Sequence, residues 1–122
     1  MASINLDGFG HNEVETVTGA KTLDLADAGV VQNVTATATV TLPAVATALV
    51  GTVYTIRVGA EGINVTIELD NSDYIFGNGI TPGDGKYVIA TAQPAGSYIQ
   101  VVSNGVVGFG VVRVLGTWTR EG

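Results

Sequence analysis

The stretch GNGITPGDGK, residues 77–86, carries four glycines and ends in lysine, a composition shared with loops that bind phosphate groups. A phosphate-binding P-loop needs a glycine, four further residues and then Gly-Lys-Ser/Thr, with a strand before it and a helix after it. Here Tyr87 follows the Gly-Lys pair, Ile80 stands where the first glycine is required, and the next residues alternate like a strand. We therefore interpret the stretch as a loop around residues 82–85 that connects two strands.

A short acidic segment offers a second candidate for chemistry. Asp70, Asn71, Ser72 and Asp73 carry side-chain oxygens of the kind that bind calcium. A calcium-binding EF-hand loop, however, requires a glycine at its sixth position and a glutamate at its twelfth, and this segment has neither. Asparagine and aspartate also bond to nearby backbone amides in turns. An Asx-type turn is therefore the favoured interpretation, and the sequence predicts no metal site.

The residues that could catalyse acid–base reactions are few. His11 is the only histidine, whereas a hydrolytic triad needs a histidine beside a nucleophile and a carboxylate. Histidine-based metal sites also usually recruit more than one histidine. Glu13 and Glu15 would share a strand face, but nothing in that solvated stretch would give their carboxylates different roles. We expect no enzymatic activity and no cofactor, and interpret His11 as an exposed or partner-contacting residue.

Composition and charge exclude several classes of partner. The chain has 122 residues, enough for one domain, and its five basic and eleven acidic residues give a net charge of −6. This charge would repel a nucleic-acid backbone. The amino terminus lacks the positive and apolar regions of a secretion signal, and no apolar run reaches the roughly 18 residues of a membrane span. We therefore expect a soluble protein made in a cytoplasm, bound to neither nucleic acid nor membrane.

Alternation with a period of two is the clearest structural signal. In INVTIEL, Ile63, Val65, Ile67 and Leu69 would share one face of a strand. Similar runs, separated by turn signals, are TLDL (22–25), VVQNV (30–34), TATVTL (37–42), TVYTIRV (52–58), KYVIAT (86–91), SYIQVVS (97–103) and GVVRVL (110–115). Asn104-Gly105 is typical of a two-residue type I′ hairpin turn.

These elements predict an all-β fold: a single compact antiparallel β-sandwich or barrel-like domain. A short helix is expected near 43–50, because Pro43 suits a first helical turn and Gly51 a carboxyl-terminal cap. Residues 1–14 are rich in glycine, asparagine and acid and offer little to bury, which favours an extended arm. The predicted organisation is thus an arm at 1–14 followed by a β domain at 15–122.

Four residues near or within the strands are candidates for contacts with other chains. Trp118 could pin the last strand to the core or could anchor a contact with another chain, since tryptophan is enriched in such interfaces. Arg57, Arg113 and Arg120 are three of only five cations. They are candidates for salt bridges to neighbouring subunits, although ordinary surface solvation is the simpler alternative.

From Lys21 onward, the order of several motifs resembles a small β module common in bacteriophage structural proteins. The matching stretches are KTLDLADAGVV from residue 21, TVTLPAVATALVGTVYTIRV from 39, DNSDYIFGNG from 70, SYIQVVSNGVVGFGVV from 97 and GTW at 116–118. They cover most of residues 21–118. One feature departs from the module, because the strand that follows its hairpin often carries an aromatic residue such as tryptophan, and Phe109 is the nearest aromatic here.

Proteins with this module occur on tail fibres and as decoration, or cement, proteins on the outside of phage heads. The resemblance therefore implies a capsid decoration protein of the virion surface, with the major capsid protein as its partner. We expect a homotrimer in which the arm lies across the capsid or a neighbouring subunit. The expected contact residues are Phe9, His11, Asn12, Arg57, Arg113, Trp118 and Arg120. The alternative is a receptor- or glycan-binding module of a tail fibre, in which Tyr54, Tyr74, Tyr87, Tyr98 and Trp118 would stack on sugars.

Overall fold

Valine- and threonine-rich runs form strands along most of the chain. The computed structural model describes residues 13–45, 48, 50–70, 73–77, 80, 85 and 87–120. The strands are β1 (Val14–Val17), β2 (Lys21–Thr22), β3 (Val31–Val34), β4 (Ala38–Thr41), β5 (Val53–Val58), β6 (Asn64–Glu68), β7 (Tyr74–Phe76), β8 (Val88–Thr91), β9 (Tyr98–Ser103), β10 (Gly108–Leu115) and β11 (Thr119–Arg120). The all-β prediction is confirmed.

The strands form two mixed sheets. The six-stranded sheet has the order β1-β3-β5-β9-β10-β7, and the five-stranded sheet has the order β11-β8-β6-β4-β2. From β1 to β6 the chain alternates between the sheets, so that β1, β3 and β5 are parallel in one sheet and β2, β4 and β6 are parallel in the other. The predicted antiparallel arrangement is correct only for β5–β9, β9–β10, β6–β8 and β8–β11. It is wrong elsewhere, because each winding of the chain returns to a sheet in the same direction.

A single core lies between the two sheets. Along β5 and β9 the inward residues are Tyr54, Ile56, Val58, Ile99 and Val101, and all five side chains are fully buried. The facing sheet contributes Val40, Val65, Ile67, Val88 and Ala90 to the same cluster. Burial thus alternates along the strands as the sequence predicts. This arrangement is consistent with the sandwich expected from the sequence.

Local hydrogen bonding replaces two of the predicted elements. Asp24 lies within the TLDL run, but its side chain accepts a bond from the Ala26 N–H at 2.9 Å and caps a short 3-10 helix, Leu25–Asp27. Asn104 does not have a positive φ, so the β9–β10 hairpin is not closed by a type I′ turn. Instead the Asn104 side-chain oxygen accepts the N–H groups of Val106, Val107 and Gly108.

The helix expected near 43–50 is not confirmed. The Ala48 N–H donates to the Ala44 carbonyl at 2.9 Å, which closes one turn, but no helix is assigned to the described residues there. Residues 46, 47 and 49 lie outside the described residues. Of the predicted arm, residues 1–12 also lie outside them, and Val14 begins β1. Within the described part of the chain, no helix is long and apolar enough to span a membrane.

Candidate binding face

The six-stranded sheet presents one face to the core and the other outward. Its outward positions on the four central strands are here called the outer face. Strand register and alternating burial assign to it Val31 and Asn33 on β3, Thr55 and Arg57 on β5, Tyr98 and Gln100 on β9, and Arg113 and Leu115 on β10. Most of these side chains are half-buried, while Arg113 and Leu115 are exposed. The outer face is therefore a surface that nothing within the described chain covers.

A shallow groove crosses the outer face. Its volume is about 230 Å³. Its lining residues come from four adjacent strands and are Val31, Thr55, Arg57, Tyr98, Gln100 and Arg113. The groove exists because the register of the sheet places Arg57 opposite Tyr98 and Arg113 opposite Gln100. Two arginines that are far apart in the sequence thereby line one site.

Neutral partners hold the groove's polar side chains. Arg57 Nη1 donates to Asn33 Oδ1 at 2.6 Å, and Gln100 Nε2 donates to Thr55 Oγ1 at 3.0 Å. Neither Arg57 nor Arg113 forms an ion pair with an acidic residue among those the structure describes. No described carboxylate therefore compensates either guanidinium group at the groove.

The charge of the outer face differs from that of the whole chain. The protein carries a net charge of −6, yet the outward positions of β3, β5, β9 and β10 include two arginines and no aspartate or glutamate. Planar guanidinium groups bind carboxylate and phosphate oxygens through paired hydrogen bonds. The groove can accordingly bind an anionic group supplied from outside the chain.

A second concavity lies beside the groove. Its volume is about 340 Å³, and it is lined by Gln93, Pro94, Ala95, Gly96, Ser97, Leu115 and Gly116. The Gln93 side chain accepts the Thr117 N–H at 2.9 Å, and Glu61 accepts the Ala95 N–H at 2.8 Å. Because these polar groups already stabilise the loop, the concavity offers mainly apolar surface and extends the outer face beyond Leu115.

The predicted contact residues lie in different places. Arg57 and Arg113 line the groove together, whereas Arg120 lies on β11 in the five-stranded sheet. Trp118 is only 6% exposed and belongs to the core cluster, and its indole N–H donates to the Leu115 carbonyl at 3.2 Å. This position matches the alternative in which Trp118 pins the last strand to the core. Phe9, His11 and Asn12 lie outside the described residues.

The aromatic residues proposed for sugar stacking are also separated. Tyr54 is fully buried, and its ring packs edge-to-face on Phe109 with centroids 6.1 Å apart. Phe109 is likewise fully buried, so the hairpin aromatic contributes to the core and not to a surface. Of the tyrosines, Tyr98 lines the groove, and Tyr74 and Tyr87 are half-buried.

The acidic segment around Asp70 forms a turn in its described part. The Asp73 N–H donates to the Asp70 carbonyl at 3.0 Å, and the Asp73 carboxylate turns inward to accept the Val45 N–H at 2.8 Å. Asn71 and Ser72 lie outside the described residues. Among the described residues, no group of three or more histidine, cysteine or acidic side chains could hold a metal ion. Burial raises the pKa of the Asp73 carboxyl; the Val45 N–H opposes the shift and the Asp70 charge adds to it.

Replacing Asp73 with asparagine is expected to increase stability at neutral pH. Because the pKa of Asp73 is raised by folding, its stabilising effect is present below the pKa of the unfolded chain and is lost as pH rises through the folded pKa. Asparagine keeps the acceptor for Val45 without a buried charge, so we expect a gain in stability at pH 7 that exceeds the gain at pH 4. Urea denaturation at pH 4 and 7 measures this gain, and Glu13→Gln, at an exposed residue that precedes β1, is the control. An equal gain at both pH values would contradict the assigned cause.

A polar cluster that the sequence analysis missed links the two sheets. Lys21 on β2 donates to Glu15 on β1, to Asp27 at 3.2 Å and to Gln32 on β3 at 3.0 Å. Burial lowers the pKa of Lys21, but the hydrogen bonds and charges of Glu15 and Asp27 outweigh burial and raise it. Gln32 is fully buried, and its Nε2 has no partner among the described residues. The cluster thus pairs a half-buried lysine with two carboxylates at the edge of the sheets, and it leaves the buried Gln32 amide nitrogen unsatisfied among the described residues.

The comparisons with known proteins add no relative. No protein-family model, no curated protein and no solved structure matches the chain. The case for a binding site on the outer face therefore depends on the structure of this chain alone.

Proposed function

We propose that this chain is a structural protein of a bacteriophage virion that decorates the outside of the assembled head and stabilises it by clamping neighbouring capsid subunits. The observation that carries the proposal is the outer face, a broad sheet surface in a protein of net charge −6, whose two arginines pair with no carboxylate among the described residues. The motif order from Lys21 to Trp118 supports the phage assignment.

Exposed apolar side chains support a covered outer face in the working assembly. Leu115 on the outer face is 56% exposed, and Val112, at the irregularity of β10 beside it, is 52% exposed. Within the described chain nothing covers these side chains. A partner that packs on this surface would remove their apolar area from water, which favours association.

Assembly into a homotrimer belongs to the same proposal. Closed symmetric assembly lets one patch per subunit act several times on a repetitive shell, which raises affinity through effective concentration. The predicted arm would reach across the capsid or a neighbouring subunit, except for Val14, which lies in β1. Multi-angle light scattering measures the mass directly, and a monomer at micromolar concentration would contradict the trimer without contradicting shell binding.

Neutralising both groove arginines is expected to abolish tight binding to shells. Truncating one partner of a desolvated charge pair typically costs about 2–5 kcal/mol, so the double variant Arg57→Gln/Arg113→Gln should bind at least about thirtyfold more weakly. Co-sedimentation with undecorated heads of the phage that encodes the chain measures this affinity. Purified wild-type protein that does not co-sediment with such heads at any concentration tested would contradict the decoration role.

The matched control separates the groove from total charge. Arg120→Glu lowers the net charge from −6 by two units, as the double glutamine variant does, but its site lies on β11 in the other sheet. It should bind shells with an affinity close to that of the wild type. Equal weakening by both changes would mean that overall charge, and not the outer face, governs binding. Thermal unfolding of each variant checks that the fold is retained.

The second candidate function is that of a tail-fibre module that binds a receptor or glycan. One observation favours it: Tyr98 lies beside Arg57, Arg113 and Gln100 in the groove, and aromatic rings next to polar groups suit a sugar. A glycan array probed with the isolated chain tests this role. Specific glycan binding without shell binding would favour the fibre over the head.

A further inference from the structure

We infer that the groove between Arg57 and Arg113 is a receptor for a single carboxylate side chain, an aspartate or glutamate that a protein partner presents to the outer face. The inference rests on the proposed function, whose partner surface it specifies. It assigns the chemistry of the contact: a guanidinium pair that binds one carboxylate, with the Tyr98 ring and Val31 side chain as walls.

The size of the groove favours one side chain over a larger ligand. Small-molecule sites usually enclose roughly 300–1,000 Å³. The groove encloses about 230 Å³ and is open on one side, which suits a carboxylate and the methylene groups that carry it. The wide outer face around the groove can then pack against the rest of the partner's surface.

The available hydrogen-bonding groups favour a carboxylate over a sugar. The Gln100 amide N–H already donates to Thr55, and Arg57 already donates through Nη1 to Asn33. These internal bonds reduce the number of polar groups that could bind sugar hydroxyls. The charge of Arg57 remains, because its partner Asn33 is a neutral amide, and Arg113 forms no ion pair with a described carboxylate. A carboxylate supplies the charge and the two oxygens that arginine binds best.

Asn33 positions the Arg57 guanidinium at this site. Its side-chain oxygen accepts from Arg57 Nη1 at 2.6 Å, and it lies on the neighbouring strand. Changing Asn33 to aspartate would place a carboxylate within the chain at the same distance. Such a carboxylate would compete with one from the partner. The prediction is that Asn33→Asp weakens binding of an external carboxylate although the fold gains an ion pair.

Nuclear magnetic resonance titration of the full chain tests the inference without any shell. The probe is the peptide acetyl-Gly-Glu-Gly-amide, and the neutral control is acetyl-Gly-Gln-Gly-amide. Signals of Arg57, Arg113 and Tyr98 should shift with the glutamate peptide alone, at concentrations up to about 20 mM, where a site with a Kd of roughly 1–10 mM is largely filled. The shifts should be lost in Asn33→Asp and in Arg57→Gln/Arg113→Gln, and retained in the surface variant Arg120→Gln.

A charge-preserving variant tests the geometry of recognition. Arg57→Lys/Arg113→Lys keeps both positive charges but removes the planar forks, so we expect the peptide to bind at least about fivefold more weakly. Unchanged affinity would show that a diffuse positive potential suffices, which would overturn the assigned paired hydrogen bonds.

Further outcomes distinguish a protein carboxylate from other anions, and the carboxylate inference from the proposed decoration role. Glucuronic acid or inorganic phosphate that shifts the same signals at tenfold lower concentration than the peptide would overturn the protein carboxylate as ligand. No shift with the glutamate peptide, together with normal shell binding by Asn33→Asp, would overturn the inference and leave the decoration role intact. Peptide binding without shell binding would support the groove and contradict the decoration role.

Discussion

Replacing Gly108 with alanine is expected to lower the free energy of unfolding by roughly 3 kcal/mol, because the site has no room for a side chain. A Cβ atom at Gly108 would lie 2.0 Å from the Tyr74 carbonyl oxygen and 2.7 Å from the Tyr74 nitrogen. These atoms belong to the backbone of β7, which pairs in parallel with β10 at this register. β7 and β10 would have to move apart to make room for the methyl group. Urea denaturation measures the resulting loss in the free energy of unfolding.

Gly19→Ala is the matched control for this substitution. A Cβ atom at Gly19 meets nothing within 4 Å, so its effect should stay within about 0.5 kcal/mol. If Gly108→Ala proved as stable as the control, β7 could not lie against β10 as closely as the structure has it. The pairing of β7 would then need revision, while the groove between β5, β9 and β10 would be unaffected.

Truncating Phe109 to alanine is expected to lower the free energy of unfolding by about 3–5 kcal/mol, the second large effect. The ring is fully buried and packs edge-to-face on Tyr54, whose hydroxyl donates to the Asp24 carbonyl at 3.3 Å. Removal would leave a cavity in the core and would deprive Tyr54 of its aromatic neighbour. Thermal or urea unfolding provides the measurement.

Two further variants make the Phe109 result interpretable. Leucine at position 109 would fill much of the volume of the phenylalanine ring. Phe109→Leu should therefore lower the free energy of unfolding by less than Phe109→Ala. Val106→Ala is the control. Val106 lies in the same hairpin loop and is 76% exposed, so its replacement should change the free energy of unfolding by no more than about 0.5 kcal/mol. A small loss for Phe109→Ala would place the ring at the surface, where it could serve as a contact residue of the hairpin.

The two stability variants and the groove variants address different parts of the sheet. Phe109 faces the core, whereas Arg113, four residues later on β10, faces outward after a register shift between Val111 and Arg113. The irregularity changes which residues face outward along the strand. As a result, one strand contributes both a core aromatic and a groove cation, and their substitutions should separate stability from binding.

The sequence by itself determined the fold class and the inward face of the strands. Ile63, Val65, Ile67 and Leu69 were predicted to share one face of a strand. The last three are buried, and Ile63 is partly buried against the same core. The reason is local: alternation needs only neighbouring residues, because side chains on a strand point to opposite faces in turn. The hairpin at Asn104-Gly105 was also predicted correctly in position, although its turn type was not.

Only the tertiary structure decided which strands pair and in which direction. Short elements such as β7 and β11 carry too few residues for a periodic signal, and β1 lies partly within the stretch expected to be an arm. Parallel pairing of β1, β3 and β5 depends on residues far apart in the sequence. The approach of Arg57 to Arg113 has the same origin, since it requires β9 to lie between β5 and β10. Period-two patterns determine what faces inward, but the outer face is created by strand order, which no local pattern encodes.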